Sequence, residues 1–114
     1  MPFIQSKTSF PMTKEEEKEV KEELGKAIQL IPGKTEDWLM VAFEQNLSMY
    51  FRGNQDDRTA YVNVKVFGST PKPACEKLTK EICRIYEAKL QVPADRIYVT
   101  FDDCEKWGWN GSMF

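Results

Sequence analysis

The alternation of hydrophobic and polar positions is clearest in Ala60–Phe67. Every second residue there is a valine (Val62, Val64 and Val66), and the residues between them are aromatic or polar. A two-residue period is the period of a β-strand with one buried face. We therefore predict a strand over these eight positions, with the valines in the core.

A helical period marks two other segments. Val20, Leu24, Ile28 and Ile31 recur at helical spacing, and the preceding Thr-Lys-Glu-Glu at residues 13–16 has the form of a capping box. The helix should end near the Pro-Gly pair that follows Ile31. A second apolar stripe follows Gly-Ser-Thr-Pro at 68–71, which we expect to supply a turn, a cap and a first-turn proline. This stripe consists of Cys75, Leu78, Ile82 and Ile85.

The chain reads as one domain, 1–114, built from a doubled β-α-β unit. Further strands are predicted at 3–8, 38–44 and 97–103, so that halves at about 2–46 and 59–103 repeat each other. Residues 47–51 could add a short edge strand, and 104–114 form an aromatic C-terminal segment. Right-handed crossovers place both helices on one face of a four-stranded mixed sheet, an α+β fold. The other face should be covered by further copies, most economically in a closed ring.

Composition removes several classes of function. None of the 114 residues is histidine, which excludes histidine-dependent nucleophilic and zinc chemistry. The net charge of −2 comes from interleaved acids and bases, so nucleic acid is not an expected partner. Three cysteines without C-x-x-C spacing indicate neither a disulfide framework nor a redox motif. With no export signal or long apolar run, we expect a cytoplasmic protein without membrane contact, metal or cofactor.

The Met1-Pro2 start carries the strongest chemical signal. Aminopeptidases remove an initiator methionine that precedes proline, and the product would have a secondary amine at Pro2. An α-amino group titrates at about 7.7–8.0, so burial or a nearby cation must lower the pKa before this amine can act as a base at neutral pH. Many proteins begin Met-Pro without any consequence, and this dipeptide alone does not establish catalysis.

Three further motifs occur with this start in one order along the chain: Pro-Gly-Lys at 32–34, Asp-Arg-Ile-Tyr at 95–98 and Gly-Trp-Asn at 108–110. Together with the doubled β-α-β plan, they resemble the macrophage migration inhibitory factor family of the tautomerase superfamily. The resemblance implies a homotrimer with sites at the subunit interfaces. It also implies keto–enol tautomerisation of phenylpyruvate-like or dopachrome-like substrates, with the N-terminal proline as general acid and base.

The same resemblance assigns site residues. Pro2 matches the catalytic proline, and Lys34 matches a lysine that meets the substrate's acidic group. Tyr98 matches a tyrosine that reaches the site from the neighbouring subunit, and the remaining matches line the pocket. Those lining positions are Val66, Phe67, Trp107, Trp109 and Phe114. Val66, Phe67, Trp107 and Thr100 depart from residues common in the family, which puts pocket width and polar contacts in question.

Other interpretations stay open from the sequence. Lys34 after Pro-Gly is also typical of a solvated turn, and Trp107 and Trp109 could form a subunit contact. A cytokine-like signalling protein is the main alternative function. It would bind a cell-surface receptor, leave cells by an unconventional route and keep residual tautomerase activity. A plain β-α-β ligand-binding module, without catalytic activity, is the third possible function.

Overall fold

The computed structural model describes residues Met1–Phe114 and contains six strands and two α-helices. Three 3₁₀ turns, at Ile28–Leu30, Glu36–Trp38 and Ala94–Arg96, lie between them. In chain order the elements are β1 (Pro2–Thr8), α1 (Lys14–Ala27), β2 (Met40–Glu44), β3 (Ala60–Phe67), α2 (Lys72–Leu90), β4 (Ile97–Cys104), β5 (Gly108–Trp109) and β6 (Ser112–Met113). Neither helix is long and apolar enough to span a membrane.

The main sheet has the strand order β2-β1-β3-β4. The β1 strand pairs in parallel with β2 and antiparallel with β3, and β3 pairs in parallel with β4. Both parallel pairs are joined through a helix, as parallel connections require. The predicted α+β class, with two helices on a four-stranded mixed sheet, is confirmed.

The core lies between the sheet and the two helices. Alternate residues of β1 are buried, and the three valines of β3 are at most 1% exposed, as the alternation predicted. Tyr86 on α2 is the largest fully buried side chain, and its hydroxyl donates to Ser6 Oγ on β1 at 2.6 Å. The first 3₁₀ turn contributes Ile28, and the two helices contribute Val20, Leu24, Ala27, Leu78, Ile82, Ile85 and Leu90.

The two helix starts differ. At α1 the predicted capping box is present: Thr13 Oγ1 accepts from the Glu16 N–H at 3.0 Å, and Glu16 accepts from the Thr13 N–H at 2.9 Å. At α2 the side-chain cap expected from residues 68–71 is absent, and Pro71, which was expected in the first turn, is the N-cap residue before the helix begins at Lys72. Thr70 instead donates its hydroxyl to Asp103 at 2.8 Å, which ties the turn to the end of β4.

Two predicted strand boundaries are also corrected. Residues 47–51 form no edge strand, because left-handed backbone at Asn46 and Arg52 bends the chain and leaves only an isolated bridge between Phe51 and Asn54. The strand predicted over 38–44 begins at Met40, since the residues before Leu39 form the 3₁₀ turn Glu36–Trp38.

The sheet face that points away from the helices carries a connected polar network. Thr100 Oγ1 lies 2.7 Å from the Tyr61 hydroxyl and accepts from the Asn63 amide at 2.6 Å. Asp102 accepts from that amide at 3.2 Å and from Lys65 Nζ at 3.1 Å. The middle of this face is thus polar and internally bonded, and its covering by further copies stays a prediction.

Replacing Tyr86 by Phe tests the buried bond to Ser6. Loss of the donor leaves the fully buried Ser6 hydroxyl unsatisfied, so Tyr86→Phe should lower the free energy of unfolding by about 1–2 kcal/mol in urea denaturation at pH 7. The double variant Ser6→Ala, Tyr86→Phe should lose less free energy of unfolding than the sum of the losses in the two single variants. If the two losses were strictly additive, a direct energetic coupling between the residues would be contradicted.

The same pair predicts a pH dependence. Burial raises the pKa of Tyr86 to about 12, above its usual value of 10.0. The folded state therefore keeps a proton that the unfolded chain releases, and this contribution to stability is fully present below pH 10 and is lost as the pH rises through about 12. The stability difference between the wild type and Tyr86→Phe should narrow between those two values. If the stability difference between the wild type and Tyr86→Phe were the same at pH 7 and pH 11, the raised pKa of Tyr86 would be contradicted.

Candidate active site

The start of the chain is held at the end of a central strand. Pro2 is buried and stands opposite Val66 in the antiparallel ladder between β1 and β3. The backbone N–H of Phe67 donates to the Met1 carbonyl at 3.0 Å, which extends the ladder to the first residue. A terminus held in this way has a defined position for its nitrogen.

Lys34 lies beside this terminus. The turn after α1 contains Gly33 with a φ of 79°, a left-handed conformation that glycine adopts without strain. The Lys34 N–H donates to the Ile31 carbonyl at 3.1 Å, and its ammonium group donates to the Phe67 carbonyl at 2.9 Å. Phe67 thus contacts both Met1 and Lys34. A side chain anchored at this point is no freely solvated turn lysine.

The electrostatics of the terminus follow from these contacts. Partial burial lowers the pKa of the Met1 amine below its usual value of 8.0, and the positive charge of Lys34 lowers it further. Both causes disfavour the protonated amine. The location therefore favours a neutral amine, which is the form of an amine that can accept a proton.

A cavity of about 390 Å³ opens at this terminus. Its size lies within the range of small-molecule sites, and most of its wall is apolar. The wall residues come from the first strand, from the segment leading into β2 and from the C-terminal segment: Met1, Pro2, Phe3, Asp37, Trp38, Leu39, Met40, Trp107, Gly108 and Trp109. All three tryptophans of the chain are among them.

Aromatic contacts hold the C-terminal segment over this cavity. Trp109 meets Trp38 edge to face, with ring centroids 5.0 Å apart, and stacks on Phe114 at 6.3 Å. Phe114 also packs on Phe67 at 5.7 Å, and its N–H donates to the Trp107 carbonyl at 2.9 Å. The β5–β6 hairpin is therefore tied to β3 and to the segment before β2 through side chains.

The segment 37–40 contains no predicted site residue, although it forms part of the cavity wall. Trp38 lies in a 3₁₀ turn of this wall and not in the strand predicted over 38–44. The sequence Thr35-Glu36-Asp37 has the composition of a short helical start, with a capping residue followed by acids, and would have indicated this turn.

Two predicted site residues lie away from the cavity of this chain. Val66 is 1% exposed and belongs to the core, so its side chain cannot line the pocket and only its backbone stands beside Pro2. Tyr98 pairs with Tyr61, five positions along β3 from Val66, which is about 17 Å at the rise of a strand. Pro2, Lys34, Phe67, Trp107, Trp109 and Phe114 are brought together at one end of the sheet.

Comparison with known proteins identifies the family. The family model of macrophage migration inhibitory factor (MIF) matches residues 1–114. The chain belongs to the MIF family. A curated macrophage migration inhibitory factor from Xenopus laevis is 29% identical over 94 residues, which is 81% of either protein.

Solved MIF structures agree with this assignment. The crystal structure of Leishmania major MIF2 superposes with a TM-score of 0.93 at 29% identity, covering 100% of this chain and 97% of that one. An MIF homologue from Prochlorococcus marinus gives a TM-score of 0.82 at 32% identity, with 98% of each chain covered. Membership in the MIF family, part of the tautomerase superfamily, supports a tautomerase-like or MIF-like function. Proteins of the family are typically oligomeric.

Replacing Lys34 tests the electrostatics of the terminus. Lys34→Met removes the charge at similar length, so the pKa of the N-terminal amine should rise, because burial alone then lowers it. Lys34→Arg keeps a cation and serves as the control. The pKa can be measured by NMR titration with a ¹⁵N-labelled N-terminal residue. An equal pKa in Lys34→Met and the wild type would rule out the influence of this lysine.

Proposed function

We propose that this chain catalyses keto–enol tautomerisation of aryl 2-oxo acids such as phenylpyruvate, with the Pro2 amine as general acid and base. The observation that carries the proposal is the placement of the partly buried chain terminus beside Lys34, at the aromatic cavity. Removal of Met1 converts the Pro2 nitrogen from an amide, which is not basic, into a secondary amine at this location.

The environment suits a neutral Pro2 amine. Burial and the Lys34 charge already lower the pKa of the Met1 amine, and Pro2 is the more deeply buried of the two residues. The same two causes acting on a Pro2 amine bring its pKa toward neutral pH, where a general base works best.

Loss of Met1 has a second consequence. The Phe67 N–H then loses its acceptor, the Met1 carbonyl, and becomes a free backbone donor next to the Lys34 ammonium group. A backbone N–H together with a cation forms a binding site for an anion. A substrate carboxylate or a developing enolate oxygen would be held there, within reach of the proline nitrogen.

The reaction then needs only a proton shuttle. In the direction from keto to enol, the neutral Pro2 nitrogen takes a proton from C3 of the 2-oxo acid, and the electron pair of that C–H bond moves to form the enolate. Lys34 stabilises the negative charge on oxygen. The protonated proline returns the proton to that oxygen, which yields the enol and restores the free amine.

The cavity wall favours an aryl group. Trp38, Trp107 and Trp109 present flat apolar surfaces on which a phenyl or dihydroxyindole ring can pack. These surfaces also reduce the access of water to the amine. Phe114 supports Trp109 from behind by stacking.

Tyr98 enters the proposal through a second copy of the chain. Its phenol is 63% exposed and lies too far from Pro2 to act within one chain, which supports a site completed by a neighbouring subunit in a homotrimer. Its hydroxyl would donate a hydrogen bond to the substrate oxygen. The Phe51 ring meets the Tyr98 ring edge to face at 5.3 Å and holds it in place.

The direct test compares the chain with Met1 removed and with Met1 retained, each confirmed by intact mass. Turnover of phenylpyruvate should require the free Pro2 amine. The form that retains Met1 should therefore have a kcat/KM about 10²- to 10⁴-fold lower, which is the usual contribution of general acid–base catalysis. Equal rates for the two forms would overturn the proposal.

Two variants complete this test. Pro2→Ala still permits removal of Met1 but replaces the secondary amine by a primary one, and it should lose most of the turnover while the fold is kept. In Lys34→Met the acidic limb of the kcat/KM profile should move to higher pH together with a rise in KM, because the charge lowers the pKa of the amine and also holds the carboxylate.

A mixing experiment tests the shared site. Pro2→Ala and Tyr98→Ala are each expected to be nearly inactive as pure proteins. When they are unfolded together and refolded in equal amounts, about one quarter of the interfacial sites in a closed ring combine an intact Pro2 with an intact Tyr98. Activity should therefore recover in the mixture. Absence of recovery, with mixed oligomers shown by native mass spectrometry, would contradict a site shared between neighbouring subunits.

A further inference from the structure

One side chain of the cavity wall has no part in the proposed reaction. Asp37 is exposed and is the only residue of the wall that has an ionisable side chain, since the others are mostly aromatic or aliphatic. In an apolar cavity, a small number of polar groups sets the orientation and identity of the ligand. Asp37 is therefore placed to influence which substrates are accepted.

The local packing leaves the carboxylate of Asp37 free. The side chain of its neighbour Glu36 lies against Gly25 of α1, where a Cβ atom on residue 25 would meet the Glu36 carboxylate. Asp37 takes part in none of the ion pairs of the structure, and no side chain donates a hydrogen bond to it. Its acceptor capacity thus remains available to a ligand.

We propose that Asp37 is a specificity-determining residue, which favours aryl 2-oxo acids with a hydrogen-bond donor on the ring and disfavours those with a second negative charge. This inference rests on the proposed function for its substrate class. The physical reason is the arrangement of charge: the Lys34 cation is held at the Phe67 carbonyl, and the Asp37 anion lies in the wall formed by residues 37–40. A ligand with an acidic head and a donor on the ring matches both.

The test measures kcat/KM for phenylpyruvate, 4-hydroxyphenylpyruvate and 4-carboxyphenylpyruvate. Asp37→Asn keeps the shape of the side chain and removes the charge. It should lower the ratio of kcat/KM for the hydroxylated substrate to kcat/KM for the carboxylated substrate by about 10-fold. Higher salt should reduce the penalty on the carboxylated substrate in the wild type and have less effect in Asp37→Asn.

Glu22→Gln is the matched control, since it makes the same change in net charge at an exposed position on α1. Its substrate preference should equal that of the wild type. An Asp37→Asn protein with the wild-type preference, or with all three substrates altered by the same factor, would overturn the inference.

A binding measurement separates this inference from the proposed function. If the wild type does not turn over phenylpyruvate, the proposed function fails, and 4-hydroxycinnamate and 4-carboxycinnamate then serve as unreactive probes. Binding is followed through the three indole N–H resonances, because all three tryptophans line the cavity. If the wild type binds the hydroxylated probe more tightly than the carboxylated one and Asp37→Asn does not, the role of Asp37 is supported independently of catalysis. If the wild type shows no such preference, the role of Asp37 is contradicted.

Discussion

The antiparallel ladder between β1 and β3 holds the first residues of the chain in place. Chain termini usually fray, but here the terminal strand is central in the sheet and is paired on both sides. The ladder continues to the Met1 carbonyl through Phe67, whose own carbonyl accepts from Lys34. One backbone unit thus joins the position of the terminus to the position of the cation, and the electrostatics of the amine follow from this.

The two halves repeat the same backbone plan and use it differently. Each half has a 3₁₀ turn shortly before its second strand, at Glu36–Trp38 and at Ala94–Arg96. The first turn opens on the cavity and supplies Trp38. In the second, Arg96 donates to the Asn54 side chain and backbone and to the Thr59 hydroxyl, and so anchors the loop before β3. The two equivalent turns therefore have different uses: the first lines the cavity, and the second fixes the loop before β3.

The sequence predicted the parts of this structure that depend on a regular period or on a local motif. The valine alternation located β3, and the Thr13 to Glu16 box located the start of α1, because each signal lies within a few residues. The 3₁₀ turn at Trp38 and the absence of a strand at 47–51 depend on backbone bends that carry no periodic signal. For Val66 the two signals disagreed, because the alternation predicted a core side chain and the resemblance implied a pocket residue, and the structure agrees with the alternation.

The exposed face of the sheet constrains how copies of the chain can meet. It holds the Lys65–Asp102 ion pair, and taking this pair out of water has a cost that the attraction between the two charges does not reliably offset. The strand register places Met40, which is 67% exposed on the edge strand β2, in the same cross-strand row as this pair. Tyr98, which is 63% exposed on the other edge strand, shares its row with Lys7 and Glu44. Burial is favourable at Met40 and Tyr98 and unfavourable at the charged groups beside them. A contact between copies that covers either of these side chains and leaves Lys65 and Asp102 in water is therefore favoured over one that covers the whole face.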